Sequence, residues 1–217
     1  MSHRGIIAFD LDGTLAHIGS AWSWIHRLLG TLDAAKTYAD QYFAGEINYA
    51  RWAELDVALW HGVPLTRIQE AIQQGLEFLP NAKELIITLR EYGFKTVIIS
   101  SGLEVFAIHA KNQLQVDFTF ANKLLTDSNG KICGVEVQVA FENKGKVLQD
   151  VAEHLGVSMQ QCAAIGDSLN DISMFHSAGL SIAFNPNHDE VLAAATEVVR
   201  SKDALDLLPP IKRYFGL

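Results

Sequence analysis

The chain has 217 residues, of which 49% are hydrophobic and 19% charged, and its formal net charge is −8. This composition supplies enough apolar surface for a packed interior and argues against disorder. The negative charge leaves no basic stripe for a nucleic acid or an anionic membrane surface, so neither partner is expected. No apolar run reaches the ~18 residues of a membrane span, and the N-terminus is not of the signal-peptide type, so we expect a cytoplasmic location.

The first predicted elements are one strand and a helical block. Ile6 to Phe9 is an apolar run that ends in acidic residues and glycine, which is typical of a buried parallel strand. From about Trp22 to Leu76 the apolar residues recur at helical spacing, with three glycine-containing breaks. This stretch predicts four helices and no strand.

Beyond Pro80 the pattern alternates between strands and helices, apart from one hairpin. The alternation predicts an α/β fold with a doubly wound, mostly parallel sheet, which binds ligands beyond the carboxyl ends of its strands. We expect residues 1–15 and 79–217 to form this core and residues 16–78 an inserted helical cap. The predicted elements are a helix at 82–92, a strand at 96–99, a helix after Gly102, a strand at 117–121, a hairpin at 123–139, a helix at 144–155, a strand at 163–165, a helix at 170–177 and a strand at 180–184.

The segment FDLDGTL places Asp10 and Asp12 directly after the first strand, followed by Gly13 and Thr14. Two carboxylates this close repel each other unless a cation offsets their charge. A hard divalent ion such as Mg²⁺ would do so and would also bind phosphate oxygens. Taken alone, the segment also fits an acidic turn at a strand end.

Ser100 and Ser101 follow the second predicted core strand, in the segment VIISSG at 97–102. Hydroxyl and free backbone N–H groups in this position can hold an anion, although an ordinary helix N-cap explains the segment by itself. The glycine that precedes the serine in a nucleophile elbow is missing. The two serines are therefore candidate phosphate ligands and not nucleophiles.

Lys144 and the segment IGDSLND at 165–171 complete the set of polar strand ends. A lysine at the start of a helix opposes the helix dipole unless it answers another charge, and a phosphate would be such a charge. Asp167 and Asp171 are one helical turn apart, so both can approach one metal ion. Asn170 adds an amide donor that suits a substrate oxygen. Taken singly, Lys144 fits a solvated surface lysine and the two acids fit the first turn of a helix.

The order of these segments resembles the haloacid dehalogenase superfamily, whose motifs run DxDGT, a strand-end Ser or Thr, Lys, and GDxxND. The chain is most similar to the phosphoserine-phosphatase-like branch of this superfamily, through the segments FDLDGTL, VIISSG, FANKL, NKGKVL and GDSLNDISMFHSAGLSIAFN. The resemblance covers the predicted core and is weak in the cap. It implies a phosphatase that acts on a small phosphorylated metabolite, and we expect a monomer or a homodimer.

The resemblance also implies a role for each motif residue. Asp10 would attack phosphorus, and Asp12 would protonate the leaving oxygen and then activate water. Since Asp12 must first be protonated, its surroundings have to raise its pKa above the ordinary ~3.9. Mg²⁺ would be held by Asp10, Asp12 and Asp167, with Asp171 orienting the metal shell, and the phosphoryl oxygens by Ser100, Ser101, Lys144 and Asn170.

Three other functions remain open. A phosphomutase of the same superfamily would keep these motifs but retain the phosphate. A receiver-type signalling domain also uses Asp, a hydroxyl and Lys, but on a shorter chain without this cap. A phospho-ligand binding module with weak catalysis would be expected to have lost motif residues, and none is replaced here.

The cap sequence predicts that free L-phosphoserine is a poor substrate. In phosphoserine phosphatases a cap glutamate holds the amino group and a cap arginine holds the carboxylate. A count without gaps places Gly19 and Glu54 at these positions, with Arg51 as the available substitute for the arginine. The four tryptophans all lie in the predicted cap. Most are expected to be core residues, while one or two stack on the leaving group or form an oligomer contact.

Overall fold

A computed structural model describes residues 3–217 and has a seven-stranded sheet with helices packed against it. The strands are β1 (Gly5–Phe9), β2 (Phe94–Leu103), β3 (Phe118–Thr126), β4 (Ile132–Glu136), β5 (Cys162–Gly166), β6 (Leu180–Phe184) and β7 (Glu197–Val199). The α-helices are α1 (Ala21–Leu29), α2 (Leu32–Phe43), α3 (Tyr49–Ala58), α4 (Leu65–Gly75), α5 (Ala82–Glu91), α6 (Glu104–Leu114), α7 (Lys144–Leu155), α8 (Ile172–Ser177), α9 (Asp189–Ala194) and α10 (Leu208–Phe215).

The sheet has the strand order β4-β3-β2-β1-β5-β6-β7, and only β4 runs antiparallel to its neighbour. The predicted doubly wound, mostly parallel sheet is thus confirmed. β1 lies at its centre, paired with β2 on one side and with β5 on the other. Because these three strands are parallel, their carboxyl ends meet at one edge of the sheet.

Both faces of the central strand are buried. Ile7 and Phe9 belong to one hydrophobic cluster, and the alternate residues Ile6 and Ala8 belong to a second. Alternate side chains of a strand point to opposite faces, so this division places helices on each face of the sheet. The continuous apolar run in the sequence follows directly from burial on both faces.

Four helices, α1 to α4, lie between β1 and α5, as predicted for this stretch. Trp60 and Ile68 from this helical block are fully buried in the same hydrophobic cluster as Phe106 of α6. The loop after α3 also pairs with the hairpin, since Ile132 N donates to Val63 O at 2.9 Å. The block therefore packs on the sheet side that carries α6, while the boundaries of a separate cap domain stay a prediction.

The structure extends or adds several elements. β2 and β3 are longer than predicted, and the hairpin predicted around Asn129 is confirmed as β3 and β4. The helix predicted at 170–177 begins at Ile172, after a 3₁₀ turn at Leu169–Asp171. Helices α9 and α10 and strand β7 were not predicted, because β7 has three partly exposed residues and α10 has prolines at its second and third positions. Within residues 3–217, no helix is long and apolar enough to cross a membrane.

Candidate active site

The motif residues meet where the carboxyl ends of β1, β2 and β5 come together. A cavity of about 600 Å³ opens there between the sheet and helices α1 to α3. Lys144 and Asp171 are fully buried beside it. The predicted site residues that line the cavity are Asp10, Asp12, Ser100, Ser101, Asp167 and Asn170.

Three carboxylates form a compact cluster next to this cavity. Asp10, Asp167 and Asp171 each offer an oxygen atom within 4.8 Å of the others. The loop after β1 reaches this cluster through Gly13, whose φ is +83°. A Cβ atom there would lie 2.5 Å from Asp167 Oδ2, so a side chain would displace that carboxylate. Thr14 Oγ1 donates to Asp167 Oδ1 at 3.2 Å and fixes its orientation.

Lys144 links two members of the cluster. Its Nζ atom donates to Asp10 Oδ1 at 2.6 Å and to Asp171 Oδ1 at 2.7 Å, and its side chain is completely buried. Burial alone would lower the pKa of Lys144, but the charges of Asp10 and Asp171 outweigh it and hold the pKa above its ordinary value. The ammonium group therefore stays charged, as a buried cation between two anions.

The pKa values of the carboxylates reflect their burial. Desolvation raises the pKa of Asp10 well above its ordinary value, against the attraction of Lys144. Desolvation and the charge of Asp171 raise the pKa of Asp167 to about 7. Four carboxylates, counting Asp12, thus face one ammonium group, and the excess negative charge favours a cation.

Asp12 differs from its neighbours in its hydrogen bonds. Its Oδ2 atom accepts a 2.6 Å hydrogen bond from the N–H of Ala21, at the start of α1, while Oδ1 is buried without a hydrogen-bond partner within residues 3–217. Desolvation raises the pKa of Asp12 to about 6, although the Ala21 N–H lowers it. The raised pKa matches the expectation for an acid that must carry a proton near neutral pH.

The donor set fits a hard divalent cation. Carboxylate oxygens are the ligands that Mg²⁺ and Ca²⁺ prefer. The close group of Asp10, Asp167 and Asp171 supplies such oxygens, and the unpartnered Oδ1 of Asp12 is a further buried acceptor. Repulsion within this group is the kind that a bound cation relieves.

Hydroxyl and amide groups also line the cavity. Ser100 Oγ accepts a 3.0 Å hydrogen bond from Gly102 N. Asn170 Nδ2 donates to Ser101 Oγ at 2.8 Å, and Ser168 Oγ donates to Asn170 Oδ1 at 2.8 Å. These contacts hold the side chains that the sequence assigned to phosphate binding at the surface of one cavity.

The end of β2 is tied to the helical block through one carbonyl group. Trp22 Nε1 donates to Ser101 O at 3.0 Å, and the Tyr49 hydroxyl donates to the same oxygen. The buried Asn122 adds a third donor through Nδ2 at 2.9 Å. These roles were not predicted from the sequence, because a side chain that bonds to a backbone carbonyl leaves no motif of its own.

The aromatic residues of the helical block form two groups, buried packing residues and residues that line the cavity. Trp60 is fully buried and stacks on Trp22 with ring centroids 5.6 Å apart. Trp24 packs edge-on against Phe106. The cavity itself is lined by Trp22, Phe43, Tyr49, Trp52 and Phe141, which is more than the one or two expected. Two further residues, His26 and Asp56, line it without having been predicted.

The residues at the expected phosphoserine-binding positions lack the required charges. Gly19 lines the cavity and offers no carboxylate. Arg51 and Glu54 pair with each other at 3.1 Å with more than half of each side chain exposed, and neither lines the cavity. Arg51 therefore does not take the place of the missing arginine in this conformation.

Comparisons with known proteins identify the family of this chain. Residues 5–179 match the model of the haloacid dehalogenase-like hydrolases. A phosphoserine phosphatase of Idiomarina loihiensis is 33% identical over 219 residues, which cover 98% of this chain and 96% of that protein. A phosphoserine phosphatase of Methanocaldococcus jannaschii is 33% identical over 83% of this chain and 85% of its own.

Solved structures give the same relationship. A structure described as a phospho-aspartyl intermediate analogue of phosphoserine phosphatase superposes with a TM-score of 0.81 at 28% identity. The superposition covers 96% of this chain and 99% of the other. Two other matching phosphoserine phosphatases are longer proteins, and this chain spans 44% and 58% of their lengths.

Proposed function

Because the chain belongs to the haloacid dehalogenase-like hydrolases and is a phosphatase of the phosphoserine-phosphatase-like branch, we propose that it is a Mg²⁺-dependent enzyme that hydrolyses small phosphate monoesters at Asp10. The observation that carries this assignment is the convergence of Asp10, Asp12 and Asp167 on one cavity, with the Lys144 ammonium group against Asp10. A cytoplasmic location stays a prediction from the sequence.

In the first step an oxygen of Asp10 attacks phosphorus, and the bond between phosphorus and the ester oxygen breaks. Lys144 holds Asp10 Oδ1, so we assign Oδ2 as the attacking oxygen. The leaving oxygen takes its proton from Asp12, whose unpartnered Oδ1 atom is the donor position. The phosphoryl group is then an acyl phosphate on Asp10.

In the second step Asp12, now ionised, accepts a proton from a water molecule. That water attacks phosphorus, and the bond between phosphorus and Asp10 breaks. Inorganic phosphate leaves, and both aspartates return to their starting protonation states. The Ala21 N–H that contacts Asp12 Oδ2 favours the ionised form needed here, while burial favours the protonated form needed first.

We propose that Mg²⁺ would be held by Asp10, Asp167 and the backbone carbonyl of Asp12. Asp171 orients this group, because its Oδ2 atom accepts a hydrogen bond from the N–H of Asp167 at 3.0 Å. A bound Mg²⁺ neutralises phosphate charge. Ser100, Ser101 and Asn170 then position the phosphoryl oxygens.

The proposal is tested with p-nitrophenyl phosphate and an assay for inorganic phosphate. We expect turnover with Mg²⁺, none after chelation, and none in Asp10→Asn, whose fold is checked by circular dichroism. Release of inorganic phosphate separates a phosphatase from a phosphomutase, which would retain it. A wild-type rate in folded Asp10→Asn would refute the assignment of the nucleophile.

A further inference from the structure

The helical wall of the cavity carries a buried carboxylate that the proposed mechanism does not use. Asp56, from α3, is 2% exposed and lines the cavity. Among the described residues its Oδ1 atom has no hydrogen bond of normal geometry, and the side chains of His26 and Trp52 are the donors that face this carboxylate. A buried carboxylate whose hydrogen bonds are incomplete destabilises the fold, and a cationic ligand group in the adjoining cavity would offset that cost.

His26 contacts Asp56 without cancelling its charge. Trp60 Nε1 can only donate, and it donates to His26 Nδ1 at 3.1 Å, so Nδ1 carries a lone pair. The proton of the neutral imidazole is then on Nε2, which lies 3.3 Å from Asp56 Oδ2 but is not aligned as a hydrogen bond. The neutral imidazole therefore leaves the negative charge of the ionised Asp56 carboxylate in place.

Aromatic rings line the same cavity as Asp56. Trp22, Tyr49 and Trp52 line the cavity together with Asp56, and we call these four residues the cap recess. Phe43 lines the same cavity. The faces of aromatic rings attract cations, most strongly for Trp, and a carboxylate among such rings recognises an ammonium group. Burial raises the pKa of Asp56, and a bound cation would stabilise its charged form.

We propose that the cap recess binds the ammonium group of the leaving alcohol, so that the preferred substrates are phosphate monoesters of amino alcohols that lack a carboxylate. This inference deepens the proposed function and rests on it. Lys36 is the one lysine or arginine of residues 3–217 that lines the cavity, and it is exposed beside the equally exposed Asp33. A carboxylate on the leaving group would thus lack a buried cationic partner.

The test compares two esters of the same shape in the same Mg²⁺ buffer. Phosphocholine carries a quaternary ammonium, and 3,3-dimethylbutyl phosphate replaces its nitrogen by carbon. We expect kcat/KM to be roughly tenfold to hundredfold higher for phosphocholine, the worth of one charged contact. Equal values, or a larger value for L-phosphoserine or for glycerol phosphate, would overturn the inference.

Three variants of α3 assign the effect to one carboxylate. Asp56→Asn removes the buried charge at nearly constant shape and should bring the ratio between the two esters close to one. Glu54→Gln removes an exposed charge from the same helix and should leave the ratio unchanged. Trp52→Leu provides a second test if Asp56→Asn does not fold, because it also should lower the ratio. An unchanged ratio in a folded Asp56→Asn or Trp52→Leu would contradict the assignment.

A binding measurement separates this inference from the proposed function. Choline is titrated into the wild-type chain while tryptophan fluorescence is recorded, since Trp22 and Trp52 both lie in the cap recess. If choline quenches the tryptophan fluorescence saturably and 3,3-dimethylbutanol does not, the result supports ammonium binding in the cap recess even if no ester is hydrolysed. Turnover of p-nitrophenyl phosphate without choline binding or ester discrimination would leave the phosphatase standing and refute the inference.

Discussion

Replacing Lys144 by Met tests the buried charge arrangement at the centre of the site. The change removes an ammonium group that lies 2.6 Å from Asp10 Oδ1 and 2.7 Å from Asp171 Oδ1, in a completely buried position. Two buried carboxylates are left without their cation. Removing one partner of a buried ion pair costs about 3–5 kcal/mol. For a chain of this size such a loss corresponds to a fall in Tm of roughly 6–20 °C.

A matched surface lysine provides the control. Lys146 is on the same helix and pairs with Asp150, but its side chain is 67% exposed. Lys146→Met should therefore change stability by less than about 1 kcal/mol. The assays are thermal unfolding without metal and turnover of p-nitrophenyl phosphate with saturating Mg²⁺.

A double variant separates stability from activity. Asp171→Asn in the Lys144→Met background removes one of the two stranded charges, so part of the lost Tm should return. Activity should not return, because the cation against Asp10 is still missing. The reasoning is refuted if Lys144→Met unfolds at the wild-type temperature, or if the double variant regains wild-type turnover.

Three further predictions concern the metal cluster, the loop and the substrate. Asp167→Asn should raise the Tm of the metal-free protein at pH 8 by a few degrees. The pKa of Asp167 is raised to about 7, so its ionised form destabilises the fold above that pH. The same variant should weaken the Mg²⁺ dependence of turnover, and an unchanged Mg²⁺ titration would contradict this role. Gly13→Ala should lower kcat/KM at least about tenfold, since its Cβ would meet Asp167; wild-type kinetics would exclude the clash. L-phosphoserine should have a lower kcat/KM than other small phosphates, and a clear lead for it would show that the charges missing at Gly19 and Glu54 are supplied elsewhere.

The sequence predicted the sheet and the strand-end residues because both leave local patterns. Ile6 to Phe9 is apolar without interruption since both faces of β1 are buried. The acids and hydroxyls that follow β1, β2 and β5 could be placed together, because parallel strands end at one edge. Helix α7 and strand β6 were predicted with the bounds that the structure has.

The parts that escaped prediction depend on contacts between distant segments. His26 and Asp56 belong to different helices and meet only when α1 packs beside α3. Lys144 and Asp171 are 27 positions apart in the chain. From the sequence, Lys144 was predicted only as a lysine at the start of a helix that could bind a phosphate, so its bond to Asp171 was not predicted. The contact by which Asn122 holds the end of β2, a hydrogen bond from its Nδ2 atom to Ser101 O, is visible only in the folded structure.

The central claim is that Asp10 carries the phosphoryl group during turnover. It is tested most directly by quenching the wild-type chain in acid during steady-state hydrolysis with Mg²⁺. Borohydride then reduces an aspartyl phosphate to homoserine, and peptide mass spectrometry locates the modified position. The account predicts homoserine at position 10, and none in Asp10→Asn or in samples without Mg²⁺. Active wild-type chain that yields no homoserine, or homoserine at another aspartate, would contradict it.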